Sequence, residues 1–220
     1  MLTPQSPKSI VVLLMGCTGA GKSHFINTAF GHNVALVSES QISTSLEIKH
    51  YPLSTSQHPH LSLVLVDTPG LDHISASDSA ILKVIVKRLR ELCSSTASFG
   101  GIIYLHDITQ ARLSASSSLM SYIRSPEPAG HLLLTTTKWD RDRYSPDARA
   151  LTLKREDELR RGIWKRVSLL GEPSTLLALE PLKIEEIVIE LERICQPTSK
   201  PTFQKRKKGI FSALFRLWNK

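Results

Sequence analysis

Residues 16–23 read Gly16-Cys17-Thr18-Gly19-Ala20-Gly21-Lys22-Ser23, which matches the pattern G-x-x-x-x-G-K-[ST]. A short apolar run at residues 10–15 leads into this segment, and a helical pattern at residues 22–30 leads out of it. Glycines let a backbone wrap closely around an anion with its amide N–H groups pointing inward. The helix that follows offers its positive N-terminal end. The segment therefore predicts a loop, between a buried strand and a helix, that cradles phosphate groups.

Two side chains of this loop carry chemistry of their own. Lys22 can reach the β- and γ-phosphates of a nucleotide and is predicted to be catalytic, and the Ser23 hydroxyl can ligate Mg²⁺. The alternative is a glycine-rich turn that merely links strand to helix, but such a turn has no need of the Lys-Ser pair. Cys17 is interpreted as a small space-filling side chain. The predicted nucleotide-binding residues of the loop are Gly16, Thr18, Gly19, Ala20, Gly21, Lys22, Ser23 and His24.

Length and composition favour one domain in a reducing compartment. The chain has 220 residues, 41% of them hydrophobic, which is enough for one sizeable core. Its three cysteines, Cys17, Cys93 and Cys195, lie far apart and do not form a disulfide framework. The N-terminus lacks the layout of a secretory signal, and no apolar run approaches the roughly 20 residues of a spanning helix. We therefore expect a cytoplasmic protein.

The net charge of +8 comes almost entirely from one end of the chain. Residues 200–220 hold seven basic residues and no acidic one, so residues 1–199 have a net charge of only +1. The body of the chain thus offers no electrostatic case for nucleic acid binding, and no nucleic acid partner is expected.

Short apolar runs alternate with helical patterns along the chain. Strands are predicted at residues 10–15, 45–51 (an edge strand), 61–66, 102–105 and 131–135. Helices are predicted at residues 22–30, 80–93, 116–124, 155–170 and 184–194. This alternation favours an α/β fold in which helices flank both faces of a mostly parallel central sheet.

A second motif, Asp67-Thr68-Pro69-Gly70, follows the predicted strand at residues 61–66. A carboxylate at the carboxyl end of a central parallel strand lies beside the phosphate loop in such folds. Asp67 is therefore predicted to hold Mg²⁺ through a water molecule, and the N–H group of Gly70 to face the γ-phosphate as part of the catalytic machinery. A plain surface turn is the alternative, because Asp-Thr-Pro-Gly is good turn chemistry.

A second hydroxyl for Mg²⁺ should come from the loop before the edge strand. Ser43, Thr44 and Ser45 are adjacent candidates, and Thr44 is chosen as both a metal ligand and a catalytic residue. The alternative is that these side chains only keep a loop solvated.

A third motif, Thr137-Lys138-Trp139-Asp140, follows the predicted strand at residues 131–135 and fits the [NT]-K-x-D pattern of guanine nucleotide binders. The carboxylate of Asp140 would accept hydrogen bonds from guanine N1–H and from the exocyclic amine, whereas adenine presents an acceptor there. Lys138 would lay its aliphatic stem along the base, and Trp139 would pack beneath the loop. Thr137, Lys138 and Asp140 are therefore predicted to read the base.

These three motifs, in this order, resemble the translation-factor-related class of P-loop GTPases. Within that class, residues 15–27 (MGCTGAGKSHFIN) and 103–108 (IYLHDI), followed by Arg112-Leu113-Ser114, look like the AIG1-like and septin-like group, including small fungal G-domain proteins. The resemblance implies a three-layer P-loop NTPase G domain over residues 10–195. Residues 1–9 are then an N-terminal extension, and residues 196–220 a basic linker and tail. It also implies GTP or GDP with Mg²⁺ as ligands, and dimers through the nucleotide-binding face occur in such families.

The sequence differs from Ras-like GTPases at the position that controls hydrolysis. Ras-like GTPases place a glutamine directly after this glycine to orient the attacking water, whereas this chain has Leu71. Asp72 or His73 are the candidates to replace it. We expect a GTPase with slow intrinsic turnover that acts as a molecular switch. The alternative is a non-catalytic GTP-sensing scaffold, while an ATP-using kinase or ATPase conflicts with the third motif.

The basic tail forms a separate feature. Residues 205–208 read Lys-Arg-Lys-Lys, and on a helix over residues 210–220 the apolar side chains, two of them phenylalanine and one tryptophan, fall on one side. Such a helix beside a cationic cluster suits the surface of an anionic membrane, so residues 205–220 predict peripheral membrane association. Docking on the body, disorder, and a nuclear import or nucleic-acid contact are the alternatives.

Overall fold

The computed structural model describes residues 8–37, 46–54, 61–73, 76–93, 97–110, 132–139, 145–164 and 176–178. Its elements, in chain order, are β1 (Lys8–Gly16), α1 (Lys22–Phe30), β2 (Lys49–Ser54), β3 (Leu61–Asp67), α2 (Asp78–Leu92), β4 (Ala97–Asp107), β5 (Leu132–Thr137), α3 (Pro146–Leu159) followed by a segment at Arg160–Trp164 that is kinked at Gly162, and β6 (Leu176–Ala178).

The strands form a six-stranded sheet in the order β2-β3-β1-β4-β5-β6. Strand β2 runs antiparallel to β3, and every other neighbouring pair is parallel. The carboxyl ends of β1, β3, β4 and β5 therefore lie at one edge of the sheet, where ligands bind in open α/β folds. The predicted α/β class with a mostly parallel central sheet is confirmed.

Buried side chains of β1 alternate between two cores, one on each face of the sheet. Val11, Leu13 and Met15 belong to the core that α2 covers, which includes Ile81, Leu82, Ile85 and Leu89. Val12 and Leu14 belong to the core that α1 covers, which includes Phe25, Ile26 and Ala29. Because successive side chains of a strand point to opposite faces, a continuous apolar run is what a strand buried on both sides requires. These layers position the loop that follows β1 at the centre of the sheet edge.

Several predicted boundaries differ from the structure. Strand β2 begins four residues later and ends three residues later than predicted, and it is the edge strand, as expected. Strand β4 begins at Ala97, five residues before the predicted start at residue 102.

The helix predicted at residues 155–170 is wrong in its bounds, because α3 begins nine residues earlier, at Pro146, and ends at Leu159, before a segment that is kinked at Gly162. Its start signal is local: the Ser145 side chain accepts a hydrogen bond from the N–H of Ala148, and proline occupies the first turn.

Some predictions lie outside the described residues. These are the helices at residues 116–124 and 184–194, the tail at residues 196–220 and most of the N-terminal extension, so the domain boundaries stay predictions. Within the described part of the chain, no helix has the length and apolar character needed to cross a membrane.

Candidate nucleotide-binding site

Loops from three different strand ends contact one another at the carboxyl edge of the sheet. The phosphate loop after β1 receives a hydrogen bond from the Leu71 N–H, which lies 3.3 Å from the Gly16 carbonyl oxygen. On its other side, the Thr137 hydroxyl donates to the Ala20 carbonyl oxygen at 2.8 Å. The structure thus brings the three predicted motifs together around one loop. The side chain of Asp140 lies outside the described residues, as does Thr44.

Gly16 is where the phosphate loop passes closest to the neighbouring strand. A Cβ atom at this position would fall on the carbonyl oxygen of Leu105 and lie 3.2 Å from the Cβ of Ala20. The backbone also has φ +151° here, a conformation that L side chains rarely adopt. Only glycine fits at this position, where β1 is still packed against β4. The phosphate loop can therefore begin directly at the edge of the sheet.

Lys22 is held inside the loop. Only 9% of the residue is exposed, and its Nζ donates hydrogen bonds to the carbonyl oxygens of Gly16 at 3.2 Å and Cys17 at 2.9 Å. Burial lowers the pKa of this ammonium, and the nearby carboxylate of Asp67 opposes that shift. The loop therefore holds a poorly solvated cation, a site that suits an anionic ligand.

Ser23 and Asp67, the two described residues predicted to hold the metal, contact each other. The Ser23 hydroxyl donates to Asp67 Oδ2 at 2.9 Å, although the residues are 44 positions apart. Burial raises the pKa of the Asp67 carboxyl, while the Ser23 hydrogen bond and the Lys22 ammonium counteract the rise. A hydroxyl and a partly buried carboxylate are hard oxygen ligands of the kind that Mg²⁺ accepts beside substrate phosphates. The pair therefore fits the predicted ion.

The segment after Asp67 is packed onto the phosphate loop. The Thr68 hydroxyl donates to the Leu14 carbonyl oxygen at 2.7 Å, which anchors the start of the segment to β1. The carboxylate of Asp72 accepts the backbone N–H of Thr18 at 2.6 Å. The Thr18 N–H group of the phosphate loop is thus already bonded to a carboxylate of the chain itself, that of Asp72.

Leu71 and His73 flank Asp72 and are both buried, with exposed fractions of 3% and 6%. Asp72 is exposed, so among these three residues it is the side chain at the surface of the site.

The predicted base-reading loop follows β5 and includes Thr137, Lys138 and Trp139. These three consecutive side chains hold it in place. The Thr137 hydroxyl bonds Ala20, the Lys138 ammonium forms a 2.6 Å ion pair with Asp107, and the indole N–H of Trp139 donates to the Thr136 hydroxyl at 3.0 Å. Trp139 is buried, 6% exposed, as predicted for a side chain beneath the loop.

Cys17 is a buried side chain of the phosphate loop, 5% exposed. Burial raises the pKa of its thiol, and the Asp72 carboxylate raises it further. Since the thiolate is the nucleophilic form, a raised pKa favours a packing role over a reactive one.

Sequence reasoning assigned no role to Asp107. It lies at the end of β4, opposite Thr137 in the register of β5. A weak signal was present, because only His106 separates Asp107 from the apolar run at residues 102–105, whereas Asp67 follows its strand directly. The Asp72 contact with Thr18 left no such signal, since it joins residues 54 positions apart.

The fold is shared with solved GTPase structures. The chloroplast translocon components atToc33 and psToc159, solved in work on dimerization and GTPase activity, superpose with TM-score 0.58 and 16% identity over 88% of this chain and 85% of theirs. Arabidopsis thaliana Toc33 with GDP and Mg²⁺ gives TM-score 0.53 and 18% identity over 78% of this chain and 70% of that one. Era in complex with MgGDPNP and a segment of 16S ribosomal RNA gives TM-score 0.58 and 18% identity over 90% of this chain and 60% of that one.

A curated relative is similar in sequence over a shorter stretch. GTPase Era of Campylobacter jejuni is 36% identical over 75 residues, which is 34% of this chain. The match spans only 24% of the length of Era. The guanine nucleotide and Mg²⁺ predicted from the motifs are the ligands named for the Toc33 structure.

The model of the 50S ribosome-binding GTPase family matches residues 11–136, more than half of the chain. This range contains the phosphate loop and the Asp67–Gly70 segment, and it ends next to the base-reading loop. Together with the arrangement of the three loops on a parallel sheet, the match assigns the chain: it belongs to the 50S ribosome-binding GTPase family of P-loop proteins.

Proposed function

We propose that this chain binds GTP and GDP with Mg²⁺ and hydrolyses GTP slowly, so that the bound nucleotide acts as a switch. The observation that carries the proposal is the convergence of Lys22, the Ser23–Asp67 pair and Thr137 on one loop. Family membership supports the same activity, since the matching family is one of GTPases.

Each contact of the site has a part in the proposed binding. The amide groups of the phosphate loop and the Lys22 ammonium bind the phosphates, which replace the solvation that burial removes from Lys22. Mg²⁺, when bound, neutralises charge that develops on the phosphate oxygens. Ser23 and Asp67 are the described side chains that hold it, and Thr44 is proposed as a third. Asp140 reads the guanine edge beside the stem of Lys138.

Binding is tested by calorimetric titration of wild type, Lys22→Ala and Asp140→Ala with GDP, GTP and ATP. Lys22→Ala should lose binding of both GDP and GTP, because the phosphates lose their buried cation. Asp140→Ala should retain phosphate binding but lose the preference for guanine. A wild-type protein that binds ATP as well as GTP would refute the proposal.

Slow turnover is proposed from the residue beside Gly70. The side chain of Leu71 has no hydrogen-bonding group and is buried, 3% exposed, so it does not orient a water molecule. We assign that role to Asp72, whose carboxylate already lies 2.6 Å from the N–H of Thr18. His73 is the weaker candidate because it is buried, 6% exposed.

Single-turnover phosphate release separates these roles. Wild type should release phosphate far more slowly than the roughly 5–20 s⁻¹ of an activated small GTPase. Asp72→Asn should slow release by about a hundredfold, the lower end of general acid–base contributions. Equal rates for wild type and Asp72→Asn would remove Asp72 from this role. Intact GTP after long incubation with wild type would instead favour the non-catalytic scaffold, which the buried Leu71 also supports.

The finer assignments rest on resemblance. We place the chain in the AIG1-like and septin-like group on residues 15–27 and 103–108. A nucleotide-dependent dimer is proposed because dimerization is important for the GTPase activity of atToc33 and psToc159. Light scattering with GDP and with a non-hydrolysable GTP analogue tests it, and identical monomer masses in both states would count against it.

Peripheral membrane association of a cytoplasmic protein is proposed from residues 205–220. Flotation with vesicles containing phosphatidylserine, compared between the full chain and a chain lacking residues 205–220, tests this proposal. Equal flotation of both proteins would refute it.

A further inference from the structure

Asp107 is a buried carboxylate that the proposed nucleotide chemistry does not use. It ends β4 directly opposite Thr137, and only 5% of the residue is exposed. Its side chain contacts the base-reading loop rather than the phosphate loop.

Both oxygens of Asp107 are occupied by fixed donors. Oδ2 accepts the Lys138 ammonium at 2.6 Å, and Oδ1 accepts the Thr109 hydroxyl at 2.6 Å and the Thr109 N–H at 3.0 Å. Although burial acts to raise it, the Lys138 and Thr109 hydrogen bonds hold the pKa of this carboxyl below its ordinary value. Asp107 is therefore ionised at neutral pH and remains paired with Lys138.

The loop that carries Thr109 is itself braced. Arg155 of α3 donates from Nη1 to the carbonyl oxygens of Ile108 at 3.3 Å and Thr109 at 2.6 Å. The segment around Asp107 that binds the Lys138 ammonium is thus held in place by three elements, β4, β5 and α3.

Lys138 has a backbone conformation that calls for such support. Its φ is +65°, in the left-handed region that non-glycine residues seldom adopt. Such a conformation persists where the surrounding contacts determine it. Here Thr137 is bonded to Ala20 on one side and Trp139 to Thr136 on the other, while Asp107 fixes the end of the Lys138 side chain.

We infer that Asp107 is a positioning residue for nucleotide recognition: it fixes the Lys138 ammonium so that the lysine stem is already in place for a purine base. The inference rests on the proposed guanine nucleotide binding. A long, flexible lysine loses conformational freedom when it is ordered against a ligand, and Asp107 imposes that order before the ligand arrives. Release of Lys138 from Asp107 should weaken nucleotide binding about threefold to tenfold, the range for ordering one such side chain.

A double-mutant cycle tests whether Asp107 acts through Lys138. GDP affinity is measured by calorimetry for wild type, Asp107→Asn, Lys138→Met and the double variant, with a melting temperature for each. Asp107→Asn should bind GDP about threefold to tenfold more weakly. In the Lys138→Met background the same substitution should have no further effect on affinity.

Two further variants keep the test decisive should Lys138→Met fail to fold. Thr109→Val removes a hydrogen bond from Asp107 but keeps the ion pair, so it should lower the melting temperature and leave GDP affinity unchanged. Asp157→Asn breaks the exposed 2.9 Å pair with Arg161 and should change neither quantity.

Three results would overturn the inference. These are wild-type GDP affinity for Asp107→Asn, an equal loss of affinity for Asp107→Asn in both backgrounds, or a loss for Thr109→Val as large as that for Asp107→Asn. Failure of the wild-type chain to bind GDP would instead remove the proposed function on which the inference rests.

Discussion

Thr137→Val removes the hydrogen bond that joins the base-reading loop to the phosphate loop. The Thr137 hydroxyl lies 2.8 Å from the Ala20 carbonyl oxygen and 3.3 Å from that of His106. A hydroxyl has one proton to donate, so we assign its hydrogen bond to the shorter contact, the one with Ala20. Valine has nearly the same shape, so the substitution deletes the bond while filling the same space.

The magnitude follows from burial. Thr137 is only 7% exposed, so the Ala20 carbonyl oxygen is left without that donor in a site that water enters poorly. Such a loss costs about 1–3 kcal/mol in the free energy of unfolding. For a chain of this size each kcal/mol lowers the melting temperature by roughly 2–4 °C. The two loops must then be brought together by the ligand itself, so GDP affinity should fall about tenfold, equivalent to about 1.4 kcal/mol.

Thr135→Val provides the matched control. Its hydroxyl donates to the Tyr104 carbonyl oxygen at 3.0 Å, and the residue is fully buried on the same strand, but this bond does not touch the phosphate loop. Both variants should therefore lose similar stability by thermal unfolding, and only Thr137→Val should lose GDP affinity by calorimetry. Equal GDP affinities for the two variants would refute the reasoning that this bond couples the loops.

Two other substitutions test the segment after β3. Gly70→Ala should lower the melting temperature by several degrees. The reason is that the new Cβ would clash with the Thr18 hydroxyl and lie 2.5 Å from its backbone nitrogen, and overpacking of this kind costs about 1–3 kcal/mol; an unchanged melting temperature would contradict it. Asp67→Asn tests the raised carboxyl pKa. Because the pKa of Asp67 is raised in the native protein, the native carboxyl holds its proton more tightly than the unfolded chain does. Wild-type stability should therefore fall as pH rises from the ordinary pKa of 3.8 through the raised pKa. Urea unfolding from acidic to neutral pH should show Asp67→Asn gaining stability relative to wild type over that window, and a pH-independent difference would contradict the assignment.

The third helix shows where local reasoning failed. An apolar stripe places a helix in a sequence, and α3 has none: Leu151 and Leu153 are 48% and 49% exposed, whereas Thr152 between them is buried. The predicted helix was therefore placed nine residues too late. The capping signal Ser145-Pro146-Asp147 marks the true start, and it acts through backbone hydrogen bonds that need no hydrophobic pattern.

The sequence by itself determined that the loops with the three motifs meet at one edge of the sheet. Glycine at position 16 and an apolar strand before each motif are local properties, and parallel strands bring their carboxyl ends to one edge of the sheet. The convergence of the three motifs could therefore be predicted without coordinates.

Only the tertiary structure decided which side chains contact one another at that edge. Thr137 bonds Ala20 across 117 positions, Asp72 bonds Thr18 across 54, and Lys138 pairs with Asp107 across 31. A hydrogen bond requires its atoms to lie within about 3 Å. Strand register and the packing of α1 and α2 set distances on that scale, and no pattern within a short stretch of sequence encodes them.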